Sequence, residues 1–177
     1  IRCRAEDRYD PTALQHYGGG INTKVKTVTV TDSNFEDCVS TLKEGGALHI
    51  GGQGGGSTAS ITGSTFKNCS AKNGGGAVLS SHETLTIENC NFYGCSTSAS
   101  NGGAVYHYRN SRGDSTQKNL TIRNSTFDVA PNVENGEGCS AANNGGAIWT
   151  RANTNVTLEG LTINKCSAKN GGGIYLD

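Results

Sequence analysis

The chain has 177 residues, enough for one domain, with 15 basic and 15 acidic residues and no net charge. Balanced charge excludes the basic footprint that nucleic acid or an anionic membrane surface requires, and no apolar run approaches membrane-spanning length. Hydrophobic residues make up 33% and aromatics 6%, against 26 glycines and 2 prolines, which excludes a broad globular core and points to a narrow, elongated one.

The expected elements, in chain order, are copies of one unit. The first, over 1–27, carries Cys3 and a GGGI corner at 18–21; it opens on Ile1 in a chain without methionine, which reads as a processed chain or a piece of a longer one. The second, over 28–58, runs VTVTDSNFEDC at 28–38 and then GGAL at 45–48. The third (59–84) repeats it as ASITGSTFKNC at 59–69 and GGAV at 75–78, and the fourth (85–119) as LTIENCNFYGC at 85–95 and GGAV at 102–105. The fifth (120–155) opens with LTIRNSTFDVA, carries an insertion over 128–138 that delays its cysteine to Cys139, and resumes with GGAI at 145–148. The sixth (156–177) has VTLEGLTINKC at 156–166 and GGGI at 171–174. The octapeptide CSAKNGGG occurs at both 69–76 and 166–173, so it is one corner of the unit seen twice.

Aligned on the corner, Phe35, Phe66, Phe92, Phe127 and Ile163 share one position, and Val30, Ile61, Ile87, Ile122 and Leu158 another. Apolar residues at every second position with Thr or Ser between them predict a strand. A turn residue (Asp32, Gly63, Asn89, Asn124 or Gly160) follows, then a short strand bearing the Phe, the glycine corner, and a third strand from the aliphatic. No segment has a helical period. Three short strands per coil of about 26–30 residues describe an all-β fold, a parallel β-helix of five to six coils stacked about 4.8 Å apart. The general preference of crossovers predicts that it is right-handed.

The pairing of F-x-x-N with a following GGA[ILV] resembles the repeat of the chlamydial polymorphic outer membrane proteins. Five copies and a partial first one cover nearly the whole chain, with Cys38, Cys69, Cys95 and Cys166 standing where the family has Asn. The resemblance implies a right-handed parallel β-helix displayed on a cell surface, adhesive rather than catalytic, and an extracellular location.

Five of the seven cysteines, Cys38, Cys69, Cys95, Cys139 and Cys166, fall at one repeat position, and no C-x-x-C pair suggests zinc. They predict a file of small buried thiols, mostly reduced, because parallel side chains on adjacent coils strain a disulfide dihedral. Cys3 is a sixth rung, and Cys90 replaces the serine of its register. Nothing in the sequence calls for a cofactor, and His16, His49, His82 and His107 lack ligand spacing and read as solvated surface residues.

Other features carry candidate contacts. His49, Leu79, Tyr106, Trp149 and Tyr175 follow the corner aliphatic, and alternation turns them outward; an exposed aromatic column can take a sugar or a partner chain, or merely stack. Arg112, Gly113 and Asp114 sit in the longest polar loop, 107–119, where an RGD triplet can engage an integrin; the composition also yields that triplet without selection. Asn68, Asn119, Asn124 and Asn155 begin N-x-[ST] sequons. GGQGGGST at 51–58 lacks the lysine of a phosphate loop and reads as a loop between coils.

The function expected is a non-catalytic structural or adhesive element that binds a glycan or host-surface receptor, with no nucleic acid and no membrane insertion. The last coil carries no cap, which predicts continuation as a longer solenoid or head-to-tail stacking of copies. A pectin-lyase-like, carbohydrate-active enzyme is the alternative, but Asp32, Asp37, Glu88, Asp128 and Glu159 fall at different repeat positions. An ice-binding module is a further alternative, suggested by Thr29, Ser60, Thr86, Thr121 and Thr157, although Glu88, Arg123 and Glu159 interrupt that face.

Overall fold

Alternation at Thr27–Thr31 puts Val28 and Val30 toward the core and three threonines toward solvent. The same pleat recurs at Thr58–Thr62, Thr84–Glu88, Lys118–Arg123 and Thr154–Glu159. In the computed structural model, which describes residues 2–5, 17–51, 55–108, 117–152 and 154–177, these five strands form one parallel sheet in chain order. A second sheet stacks the Phe strands Asn34–Glu36, Thr65–Lys67, Asn91–Tyr93, Thr126–Asp128 and Thr162–Ile163. A third stacks the strands that leave the corner: Ile21–Thr23, Leu48–Ile50, Val78–Ser80, Val105–His107, Ile148–Thr150 and Ile174–Leu176. The molecule is a parallel β-helix, and no helix occurs among the described residues.

The three strands expected per coil are joined by a fourth, shorter pairing. The two residues after each file cysteine, from Arg4–Ala5 through Val39–Ser40, Ser70–Ala71 and Ser96–Thr97 to Ser140–Ala141, form a five-stranded sheet of their own. Two residues give too short an alternation to register in a hydrophobic pattern. Their pairing follows from the stacking of the coils above and below.

The register sets the core. Phe35, Phe66, Phe92 and Phe127 lie directly over one another with ring centroids 4.7–5.1 Å apart and planes within 5° of parallel, and Ile163 continues the file. Val30, Ile61, Ile87, Ile122 and Leu158 form the second file. One long, thin core runs the length of the solenoid, and each coil contributes the same few side chains to it.

Corners are where local chemistry and close approach meet. The turn residues Asp32, Gly63, Asn89, Asn124 and Gly160 all have φ between 46° and 61°, a region Gly, Asn and Asp enter at least cost. In the corner pair Gly45-Gly46, Gly45 has φ 68°, while a Cβ on Gly46 would strike the carbonyl oxygens of Ser70 and Gly76 in the next coil. The first glycine therefore answers a torsion and the second a clearance. A further left-handed column, Asp37, Asn68, Gly94 and Lys165, stands just before the cysteines, with φ between 48° and 57°.

The insertion leaves the stack undisturbed. After Asp128 the chain departs without strand structure, and Ser140 rejoins Ser96 in register behind a fully buried Cys139.

Candidate functional site

Serines and cysteines share a structural task at the first turn. Ser33, Ser64 and Ser125 donate their hydroxyls to the carbonyls of Thr31, Thr62 and Arg123 at 2.7–3.0 Å. Ser64 and Ser125 also accept from the backbone N–H of Ser33 and Cys90 in the preceding coil at 3.1 Å. Cys90 does the same work with sulfur, donating to the Glu88 carbonyl at 3.2 Å. It belongs to the serine column and stands off the cysteine file.

The cysteine file itself is continuous. Cys38, Cys69, Cys95 and Cys139 are fully buried, and Cys3 and Cys166 are half-buried at the two ends. Cys69, Cys95, Cys139 and Cys166 each donate to the carbonyl of the Phe one coil before, Phe35, Phe66, Phe92 and Phe127, at 3.5–3.6 Å. All the cysteines are thiols. Burial in this apolar file pushes the Cys95 thiol well above its ordinary range.

The residues after the corner aliphatic do face away from the core, but they do not form the open aromatic column that the spacing suggests. His49 and Trp149 are each 6% exposed, Leu79 is fully buried, and Tyr106 and Tyr175 are half-buried. At Tyr106 the corner of the preceding coil leans over the ring. Gly74 lies so close to the Tyr106 ring that a Cβ there would meet it at 2.5 Å. Tyr106 stacks on Trp149 at 4.4 Å and meets Tyr108 edge-on at 5.3 Å, and Tyr17 lies against His49 at 4.3 Å. The His49 Nδ1 is 3.0 Å from the Asn22 Oδ1. This is a second, outer apolar layer, and burial raises both the Tyr106 and Tyr108 phenols to about 12.

Histidine burial overturns the solvated reading. His82 and His107 are fully buried, and His49 nearly so; His16 lies outside the described residues. His82 donates from Nε2 to the Gly51 carbonyl and His107 from Nδ1 to the Ser80 carbonyl, both at 3.1 Å. Their other nitrogens, with the Thr150 hydroxyl and the Trp149 indole N–H, are buried without a hydrogen-bond partner among the described residues. Sequence reasoning missed this polar corner because His107 falls at an inward strand position that other coils fill with Ile50, Ser80 or Thr150.

Asp32 and Asp37 occupy different left-handed turns, and Asp128 accepts from the Asn164 amide at 2.9 Å. Glu88 and Glu159 bracket Arg123 at 3.4 and 2.7 Å, so the charges that interrupt the threonine face form an ion ladder along it. Thr29, Ser60, Thr86, Thr121 and Thr157 do lie on the outward side of their strands.

Two hollows flank the post-cysteine sheet. One, of about 470 Å³, runs over Val39, Ser70, Ala71, Lys72, Ser96 and Thr97. The other, of about 280 Å³, lies between Asn68, Ser96 and Ser140 and the insertion residues Val129, Val133 and Glu137. Ser96 and Ser140 border both hollows.

Of the sequons, Asn68, Asn124 and Asn155 are exposed and Asn119 is half-buried, accepting from the Asn155 amide at 3.1 Å. Arg112, Gly113 and Asp114 lie outside the described residues, as do 52–54 of the glycine-rich loop. No protein-family model matches the chain, and neither a curated protein nor a solved structure matches it.

Proposed function

We propose that this chain is a non-catalytic structural or adhesive rod that works outside the cell. The observation that carries the proposal is the single unbroken register in which all the coils stack, so that every outward position repeats along the axis as a row. Rows of that kind suit many weak contacts to a repetitive surface, such as a glycan coat or a clustered receptor. The two hollows that share Ser96 and Ser140 are concave parts of that surface. The repeat's likeness to chlamydial surface proteins supports the same setting.

Exposed apolar side chains support self-association of the rod. Val156, Leu158, Leu161, Ile163 and Ile174 are only half-buried in the last coil, and Leu176 is 53% exposed. At the opposite end Val28 and Val30 are half-buried, beside a hollow of about 280 Å³ lined by Ile21, Val25, Leu48 and Ile50. In this reading the apolar end faces of two copies meet head to tail. Sedimentation and electron microscopy of the 177-residue chain test the head-to-tail form. Concentration-dependent rods, shortened by Leu158→Lys, are expected; a monomer at every concentration removes it. Binding to a glycan array or to cells tests adhesion separately, and no binding to either would overturn the adhesive role.

A further inference from the structure

The dipeptide Asn-Gly occurs five times, at 73–74, 101–102, 135–136, 144–145 and 170–171. Four copies stand at glycine corners of the solenoid, and the copy at 135–136 stands in the insertion. At the inner corners the fold holds both residues in place. Gly74, Gly102 and Gly145 are buried. The Gly102 N–H donates to the Asn144 carbonyl at 2.9 Å, and the Gly145 N–H to the Asn170 carbonyl at 3.0 Å. The side chains are held as well. Asn101 Oδ1 accepts from the Asn144 N–H at 3.1 Å, Asn144 Oδ1 accepts from the Asn170 amide at 2.8 Å, and the Asn73 amide donates to the Leu42 carbonyl at 3.4 Å. Asn135 is placed differently. It is exposed, at φ 54°, and residues 134–137 make no backbone hydrogen bond among the described residues. Gly136 is itself required, because a Cβ there would strike the Val129 and Val133 side chains, so the N–H that follows Asn135 stays unshielded.

We propose that Asn135 is a self-modification site, at which water converts the asparagine to aspartate and isoaspartate without an enzyme. The Gly136 amide nitrogen, its proton lost to hydroxide, attacks the Asn135 side-chain carbonyl carbon, Cγ. The new N–Cγ bond closes a succinimide ring, and the side-chain nitrogen takes up a proton and leaves as ammonia. Water then opens the ring. Hydrolysis at Cγ gives aspartate, and hydrolysis at the backbone carbonyl gives isoaspartate, in which the chain runs through the side chain. The sum is one water consumed, one ammonia released and one carboxylate gained. The Asn135 backbone must rotate to bring the nitrogen to Cγ, and a segment without backbone hydrogen bonds rotates at little cost. A corner copy must first break its bonds to the next coil, so it waits on local opening. The gained charge lies beside Gly136 and Glu137, which line the hollow of about 280 Å³ with Asn68, Ser96 and Ser140. Each conversion therefore makes the insertion side of that hollow more anionic.

Asn73, Asn101 and Asn144, in coils with neighbours on both sides, are built-in controls, because the same dipeptide stands there under constraint. The test incubates the folded 177-residue chain in mildly alkaline buffer beside a sample unfolded in guanidinium chloride. Peptide mass spectrometry, with fragmentation that separates isoaspartate from aspartate, follows each asparagine. In guanidinium all four are expected to convert at similar rates. In the folded chain Asn135 is expected to stay close to its unfolded rate, while the three corner residues slow by more than about tenfold. Asn135→Gln, whose longer side chain closes the ring far more slowly, is expected to remove the fastest phase of the charge drift read by isoelectric focusing. An Asn135 that stays an amide in the folded chain while it converts in guanidinium overturns the proposal. So do inner corners that convert as fast as Asn135 in the folded chain, or a charge drift that the glutamine variant leaves unchanged. The outcome does not depend on whether the rod is adhesive.

Discussion

His107 shows what the fold demands of a titratable residue. Its Nδ1–H donates to Ser80, its Nε2 has no partner among the described residues, and no part of it reaches solvent. Burial, with smaller contributions from Lys118 and His82, lowers its pKa to about 3, against the weaker opposing effect of the Ser80 bond; burial and Lys24 lower His49 to about 4. In the unfolded chain each returns to about 6.5. Between those values the unfolded state holds protons that the folded state lacks, so stability is complete above about pH 6.5 and is lost as the pH falls toward 3. From pH 7 to pH 5 the unfolding free energy measured in urea should fall by on the order of 2 kcal/mol for each histidine. His107→Gln should flatten that slope by about half, and an unchanged slope would show that the imidazole is hydrated. The same scale explains the corners: at Gly45 and Gly46 two adjacent glycines meet two different demands, so neither replaces the other.

Among the elements, the insertion is the least bound to the stack. Residues 129–138 carry no strand, Val133 is 49% exposed, and the coil closes behind them at Ser140 as if they were absent. Loop-closure entropy changes slowly with length. Deleting the segment down to the Phe-to-cysteine spacing of the other coils should therefore keep the β-sheet circular dichroism and shift the thermal midpoint by only a few degrees, on the order of 1 kcal/mol. It should also remove one wall of the hollow that the insertion lines. Loss of cooperative unfolding would show that Ala130, which is 8% exposed, anchors the coil rather than merely resting on it. The ion ladder through Arg123 is an element-scale feature of little energetic weight, because its side chains are 37–58% exposed.

For the whole molecule, stability is a sum over nearly identical coils and the contacts between neighbours. A defect in the middle therefore cuts two interfaces, and one at the end cuts a single, already open one. Phe92→Ala, between Phe66 and Phe127, should cost about 3–5 kcal/mol. Ile163→Ala, on the half-buried last coil, should cost distinctly less. Chemical denaturation of both variants checks this, and equal losses would mean that the ends are as well packed as the centre.

The amino-acid sequence by itself determined the coil register, both core files, the first turn column and the place of the cysteines. Each of these depends on short-range alternation, or on residue types that a given torsion permits, and every copy repeats the signal. The left-handed column at Asp37, Asn68, Gly94 and Lys165 was not read from the sequence, because a lysine does not mark that torsion. Only the tertiary structure decided what covers each outward position. Alternation says that Trp149 and His49 leave the core, but Tyr106 and Tyr17 from neighbouring coils stack on them, and both are buried. His82 and His107 are buried for a related reason: the walls around them come from residues one coil away, such as Gly51 and Ser80. Burial depends on surroundings assembled across a gap of about 30 residues, and no local pattern records it.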